Sequence, residues 1–229
     1  MENLRANHFE SQDGGLAKNG FGLSAKFKPS DSAKKLRTAK IIRVATVPPI
    51  FAALLTTILY VAMGDAAFAN RFHYAEAIFS LSLLPVVPYA LCAVIPALKK
   101  RGRKFERMVA IIFSVTGYLM GAAFAFFGGG VQVEKVMFAT YLCSGLLLAI
   151  LSFMFGYRAS GHACGVAGPV AMLTVYLGAA FLPAALLLVP IGISSVRLGR
   201  HTVLQFIIGS AVSVISFAAM YLLVPALGL

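Results

Sequence analysis

The chain has no tryptophan, only three cysteines, and eight acidic residues against twenty lysines and arginines. Each scarcity excludes something. Cys92, Cys143 and Cys164 are odd in number and lie in or beside apolar runs. They read as small buried hydrophobes, not as a disulfide framework. Asp65, Glu76 and Glu134 read as loop charges on one face, and no carboxylate falls deep in an apolar run. That argues against a proton- or cation-coupled transporter of the usual kind, which needs an ionisable group inside the bilayer. The first 38 residues lack the apolar core of a signal peptide. Their mixed charge and their breaks at Gly14-Gly15, Asn19-Gly20 and Pro29 predict a disordered basic tail over 1–38. Alternating strand patterns are absent too, which excludes a membrane barrel.

What remains is apolar. Hydrophobic residues make up 59% of the chain and charged ones 12%, against about half and a quarter in a soluble domain. Runs of about 20 apolar residues, the length that crosses a bilayer core, recur from residue 41 onward. The expected fold is all-α: a polytopic helical membrane bundle filling residues 39–229, in contact with membrane lipids. Spans are predicted near 41–63, 75–98, 108–127, 136–156 and 203–224. The stretch 163–193 decides the architecture. As one rod it would put the polar pieces at its two ends about 30 Å or more apart. Gly178 and Pro183 bracket a break near its middle, which predicts two short helices and seven membrane helices in all.

With that fold-back, eighteen of the twenty lysines and arginines share one face, leaving Arg71 and Lys135 on the other. The positive-inside rule makes the crowded face cytoplasmic, in a cell inner or plasma membrane. The net charge of +12 is therefore assigned to topology and lipid headgroups, with no nucleic acid as partner.

Three polar clusters stand on that face. Lys99 to Arg107 is basic, Ser160-Gly161-His162 opens the stretch 163–193, and the run from Ser194 to Thr202 holds Arg197, Arg200 and His201. Ser160 occupies a helix-cap position, and the N–H groups that follow it form a natural anion site. Gly161 lets backbone approach closely. Histidine suits nucleophile or acid near neutral pH. His162, Cys164 and His201 lack a further ligand nearby, so no metal is expected, and no cofactor.

The spacing Lys100-x6-Arg107, Ser160-Gly161-His162 and Ser194-x6-His201 resembles the three signature motifs of the type 2 phosphatidic acid phosphatase (PAP2) superfamily, K-x6-R-P, P-S-G-H and S-R-x5-H-x3-D. The resemblance covers residues 100–205 and implies a metal-independent phosphatase acting on a lipid phosphate or polyprenyl (di)phosphate. His201 would be the nucleophile and form a phosphohistidine, and His162 the acid that protonates the leaving oxygen. Lys100, Arg107, Ser160 and Gly161 would bind the phosphate. The chain departs from the pattern at Met108 and Ala159, which replace prolines, at Ser195, which replaces the third-motif arginine, and at Gln205, which replaces its aspartate. Arg197 and Arg200 are the candidates to turn toward the phosphate in place of that arginine. If the segment is helical, Arg197 shares a face with His201, while Arg200 is rotated about 100° from it and is the poorer of the two. Gln205 would orient the His201 imidazole without stabilising it by charge. These departures predict slower chemistry, or a catalytically inactive binder or carrier of phospholipid or isoprenoid phosphates. A small transporter of an anionic solute is a third reading.

Overall fold

A computed structural model of the protein describes residues 33–228, and of residues 33, 34, 103, 104 and 107 the backbone alone. Its α-helices are α1 (Ala33–Ala45), α2 (Pro48–Met63), α3 (Arg71–Ile78), α4 (Val87–Val94), α5 (Pro96–Lys99), α6 (Gly102–Phe127), α7 (Gln132–Phe153), α8 (Gly161–Leu177), α9 (Leu188–Arg197) and α10 (Val203–Ala226). Six segments are long and apolar enough to cross a membrane: Pro48–Ala66, Arg71–Val94, Met108–Phe127, Gln132–Phe153, Ala179–Arg197 and Val203–Ala226. α8 is apolar and shorter. Large apolar side chains such as Val61, Leu119, Phe127 and Leu222 point outward, where lipid tails are their natural neighbours. The protein is an integral, multi-pass helical membrane bundle.

The fold-back is present. α8 ends at Gly178, whose φ of 103° and ψ of 170° belong to a region that is essentially glycine-only. The chain then returns through a 3-10 helix, Ala179–Leu187, into α9. Because a 3-10 helix rises about 2.0 Å per residue against about 1.5 Å in an α-helix, the returning segment spans roughly 33 Å. α8, with its 17 residues, spans only about 25 Å. One helix of the pair is therefore short, where two were expected.

Two further expectations change. The first span was placed at 41–63, but Pro48 and Pro49 begin α2 afresh, because proline has no N–H and suits only a helix start. Residues 33–45 form the separate helix α1, packed along α9. The tail expected to be disordered through residue 38 is thus helical from Ala33, in a stretch of good helix formers, Ala33-Lys34-Lys35-Leu36-Arg37. The rest of that tail lies outside the described residues.

The main core gathers Leu55, Leu59, Phe68, Leu81, Phe138 and Met172, all essentially without exposure, between α2, α7, α8 and the segment Arg71–Val94. Close by, Glu134 is wholly buried and its Oε1 lies 2.7 Å from His73 Nδ1. Glu76 is half-buried and accepts a hydrogen bond from Ser80. Neither is the loop charge the sequence suggested. Asn70 caps α3 by accepting from the N–H groups of Phe72 and His73, which sets His73 one turn into the helix and opposite the first turn of α7. A second, smaller cluster of Val166, Val170 and Ile191, with Ile42, Phe51 and Phe206 packed on it, ties α8 and α9 to α1, α2 and α10. It lies beneath the polar residues described next.

Candidate functional site

The loop over 154–160 and the start of α8 come first. Ser160 is fully buried, and its Oγ accepts from the Ala163 N–H at 3.3 Å, capping the helix. Its own N–H donates to the Gln205 carbonyl oxygen at 3.0 Å. A Cβ at Gly209 would fall on the Ser160 backbone, so glycine there lets α10 approach the loop directly. The N–H groups that open α8 have no partner within the helix and project past its start. Space beside the Gly161 Cα is open.

α9 ends at Arg197, and the N–H groups of Leu198, Gly199 and Arg200 fold back onto the carbonyls of Ser194, Val196 and Ser195. Gly199, at φ 61°, turns the chain. His201 then meets the 154–160 loop, its Nδ1 3.1 Å from the carbonyl oxygen of Arg158. A carbonyl only accepts, so Nδ1 carries the proton and the lone pair of the neutral ring is on Nε2. Thr202 caps α10. Its Oγ1 accepts from the Gln205 N–H at 3.2 Å, and the Gln205 Oε1 accepts from the Thr202 N–H at 3.1 Å, closing a capping box.

The last turn of α1 brings Arg43 into the same place. Its Nη1 donates to Ser195 Oγ at 2.9 Å, and Ser195 is without exposure. Its Nη2 lies 3.5 Å from His162 Nδ1, and its carbonyl oxygen 3.3 Å from His162 Nε2. The one tautomer that satisfies both contacts is neutral, with Nε2–H donating and Nδ1 accepting. Arg158, whose carbonyl holds His201, stands four residues before His162, and the loop between them is bonded to α10 through the Ser160 N–H and the Gln205 carbonyl. A guanidinium, two imidazoles and the start of a helix therefore share one small region. Such an arrangement suits an oxyanion.

The structure thus brings together His162, His201, Ser160, Gly161 and Ser195. Among the described residues it shows no such contact for Lys100 or Arg197. Lys100 is exposed just past α5, and among the described residues its side chain has no hydrogen bond to either histidine. Arg107 lies in the second turn of α6, which packs on α4, α5, α7 and residues 79–86, and its side chain lies outside the described residues. Arg197 does not share a helical face with His201, because α9 stops before Leu198. It is exposed and lines a groove of about 490 Å³ between α1 and α9, with Lys35, Thr38 and Ile193. The Gln205 amide bonds Thr202, and the Arg158 carbonyl is the partner of His201. No protein-family model, curated protein or solved structure matches the chain.

Arg43 is the residue the motifs missed. Its one signal in sequence is that it is the last cation before Pro48-Pro49 on the basic face.

Proposed function

We propose that the protein is a membrane phosphatase that hydrolyses a lipid phosphate or polyprenyl (di)phosphate through a phosphohistidine. The observation that carries this reading is the His201 ring, whose Nδ1–H is held on the carbonyl of Arg158, four residues before His162, and whose lone pair is therefore on Nε2. In the first step the Nε2 lone pair forms a bond to phosphorus. The P–O bond to the lipid breaks, and the leaving oxygen takes the bonding pair and a proton from His162, which is neutral in the free site and takes up that proton as the anionic headgroup binds beside it. In the second step water attacks phosphorus, His162 takes its proton, and the P–N bond breaks to release inorganic phosphate and restore both imidazoles. Such a transfer spreads negative charge over the equatorial oxygens, which fixed cations and N–H donors stabilise. The open backbone at Gly161 and the α8 N–H groups supply donors of that kind. Lys100 and Arg107, on the same face by chain order, add to the field that draws anionic headgroups. The lipid tail stays in the bilayer while its head meets the site. The excess of lysine and arginine on this face supports a cytoplasmic orientation.

A second reading, a binder or carrier of phospholipid or isoprenoid phosphates, is favoured by Gln205. It stands where a carboxylate would stabilise the His201 imidazolium, and its amide is committed to Thr202. Phosphate release from a panel of phosphatidic acid and polyprenyl phosphates by purified protein separates the two. Release is expected for the wild type and falls to background in His201→Ala. Absence of release across the panel overturns the hydrolytic reading in favour of the binder.

A further inference from the structure

We propose that Arg43, from the helix that precedes the first membrane span, is the phosphate-binding guanidinium of this site, so that α1 is a working part of it. The inference rests on the reading of the site as a phosphate site, and it identifies the cation that the third motif lacks at Ser195.

Four observations carry it. The guanidinium is bonded to Ser195 Oγ at 2.9 Å, so it stands at the position where the motif's own arginine is missing. The same group lies 3.5 Å from His162 Nδ1, which puts its charge beside one of the two imidazoles. Its chain is half-buried, although a cation at the end of a helix on a basic membrane face has an easier place in the headgroup layer. Turning inward instead places the planar guanidinium, the side chain best shaped to grip phosphate oxygens, against Ser195 and His162. Finally, the helix that carries Arg43 packs along α9, the element that carries Ser195. The docking of α1 therefore fixes where the guanidinium sits. Arg197, the other candidate, faces outward into the groove beside Lys35.

The charge is thus supplied from a site 152 residues away in the chain, and the motif's serine becomes its seat. A direct consequence is that the two positions are exchangeable. An arginine placed at 195 by Ser195→Arg enters the same region from the opposite side of that hydrogen bond.

The test uses full-length protein in nanodiscs and two readouts on each variant: phosphate release from the lipid panel, and binding of orthovanadate, a phosphate mimic, read as a shift in thermal unfolding. Arg43→Ala is expected to lower release and vanadate affinity by about 100-fold with an unchanged unfolding temperature in the absence of vanadate. Arg43→Lys retains part of both. The double variant Arg43→Ala/Ser195→Arg regains at least about tenfold of what the single variant lost. Lys40→Ala, an exposed cation on the same helix, leaves both readouts unchanged. Arg43→Ala that keeps release and vanadate binding overturns the proposal, as does a loss matched by an equal fall in stability without vanadate. Loss at constant stability with no recovery in the double variant overturns the equivalence of positions 43 and 195. A wild type that binds vanadate but releases no phosphate sinks hydrolysis alone, and the Arg43 role is then decided by the binding readout. A wild type that does neither sinks both.

Discussion

Glu134 and His73 show how a single pair is constrained in this protein. Their side chains are 0% and 4% exposed, and Phe124 lies against the His73 ring with centroids 4.6 Å apart. Removing one member of such a pair leaves the other buried without its partner, at a cost of about 3–5 kcal/mol. Glu134→Ala is expected to lower the thermal midpoint of the protein in detergent by more than any exposed substitution. Glu134→Gln, which keeps an oxygen to accept from His73, is expected to lower it less. Equal midpoints for Glu134→Ala and wild type would show that the pair contributes nothing. From sequence, Glu134 was indistinguishable from a loop charge, because it follows Gly128-Gly129-Gly130 at the very start of a span. Its burial comes from α3, whose cap at Asn70 delivers His73 to it. Arg43 was hidden for a similar reason. A lysine or arginine just before a span has an adequate explanation in topology, and nothing local distinguishes one that turns inward.

Among the elements, the turn at Gly178 carries the most consequence, since it sends 179–197 back toward the face from which α8 set out. A side chain at φ 103° and ψ 170° costs about 1–3 kcal/mol. Gly178→Val is expected to reduce thermal stability by that order while Gly161→Ala, with open space around the added methyl, leaves stability unchanged. A Gly178→Val protein as stable as wild type would remove the strain argument. This element was legible in advance, because glycine and proline five residues apart within an apolar stretch too long for one span are a local signal. The end of α9 was not. A helix running on to His201 would have aligned Arg197 with it, but the chain turns at Gly199 and the last carbonyls of the helix are taken by the following N–H groups. Helix length depended on how the 198–202 loop meets the 154–160 loop, and that contact spans 43 residues of chain.

For the molecule as a whole, the seven crossings put α1 and the loops at 99–101, 154–160 and 198–202 on one side, and the connections at 64–70 and 128–131 on the other. In a background with Cys92, Cys143 and Cys164 replaced, single cysteines at 158 and 200 are expected to react with an impermeant maleimide from one side of the membrane. Cysteines at 69 and 129 are expected to react only from the opposite side. Labelling of all four from the same side would break the seven-crossing path. If the cytoplasmic orientation holds, the first pair is reached only after the cell is opened.

The number of crossings, the helical class and the break near Gly178 were determined by the sequence alone. Hydropathy, span length and turn chemistry are local properties, and the bilayer acts on each segment almost independently of the others. Which cation meets His162 was decided only by the tertiary structure. The packing of α1 on α9 and the close approach of α10 at Gly209 place groups side by side that are 119 and 152 residues apart in the chain. No periodicity or motif spacing encodes contacts at that range, because they arise when separately formed helices dock.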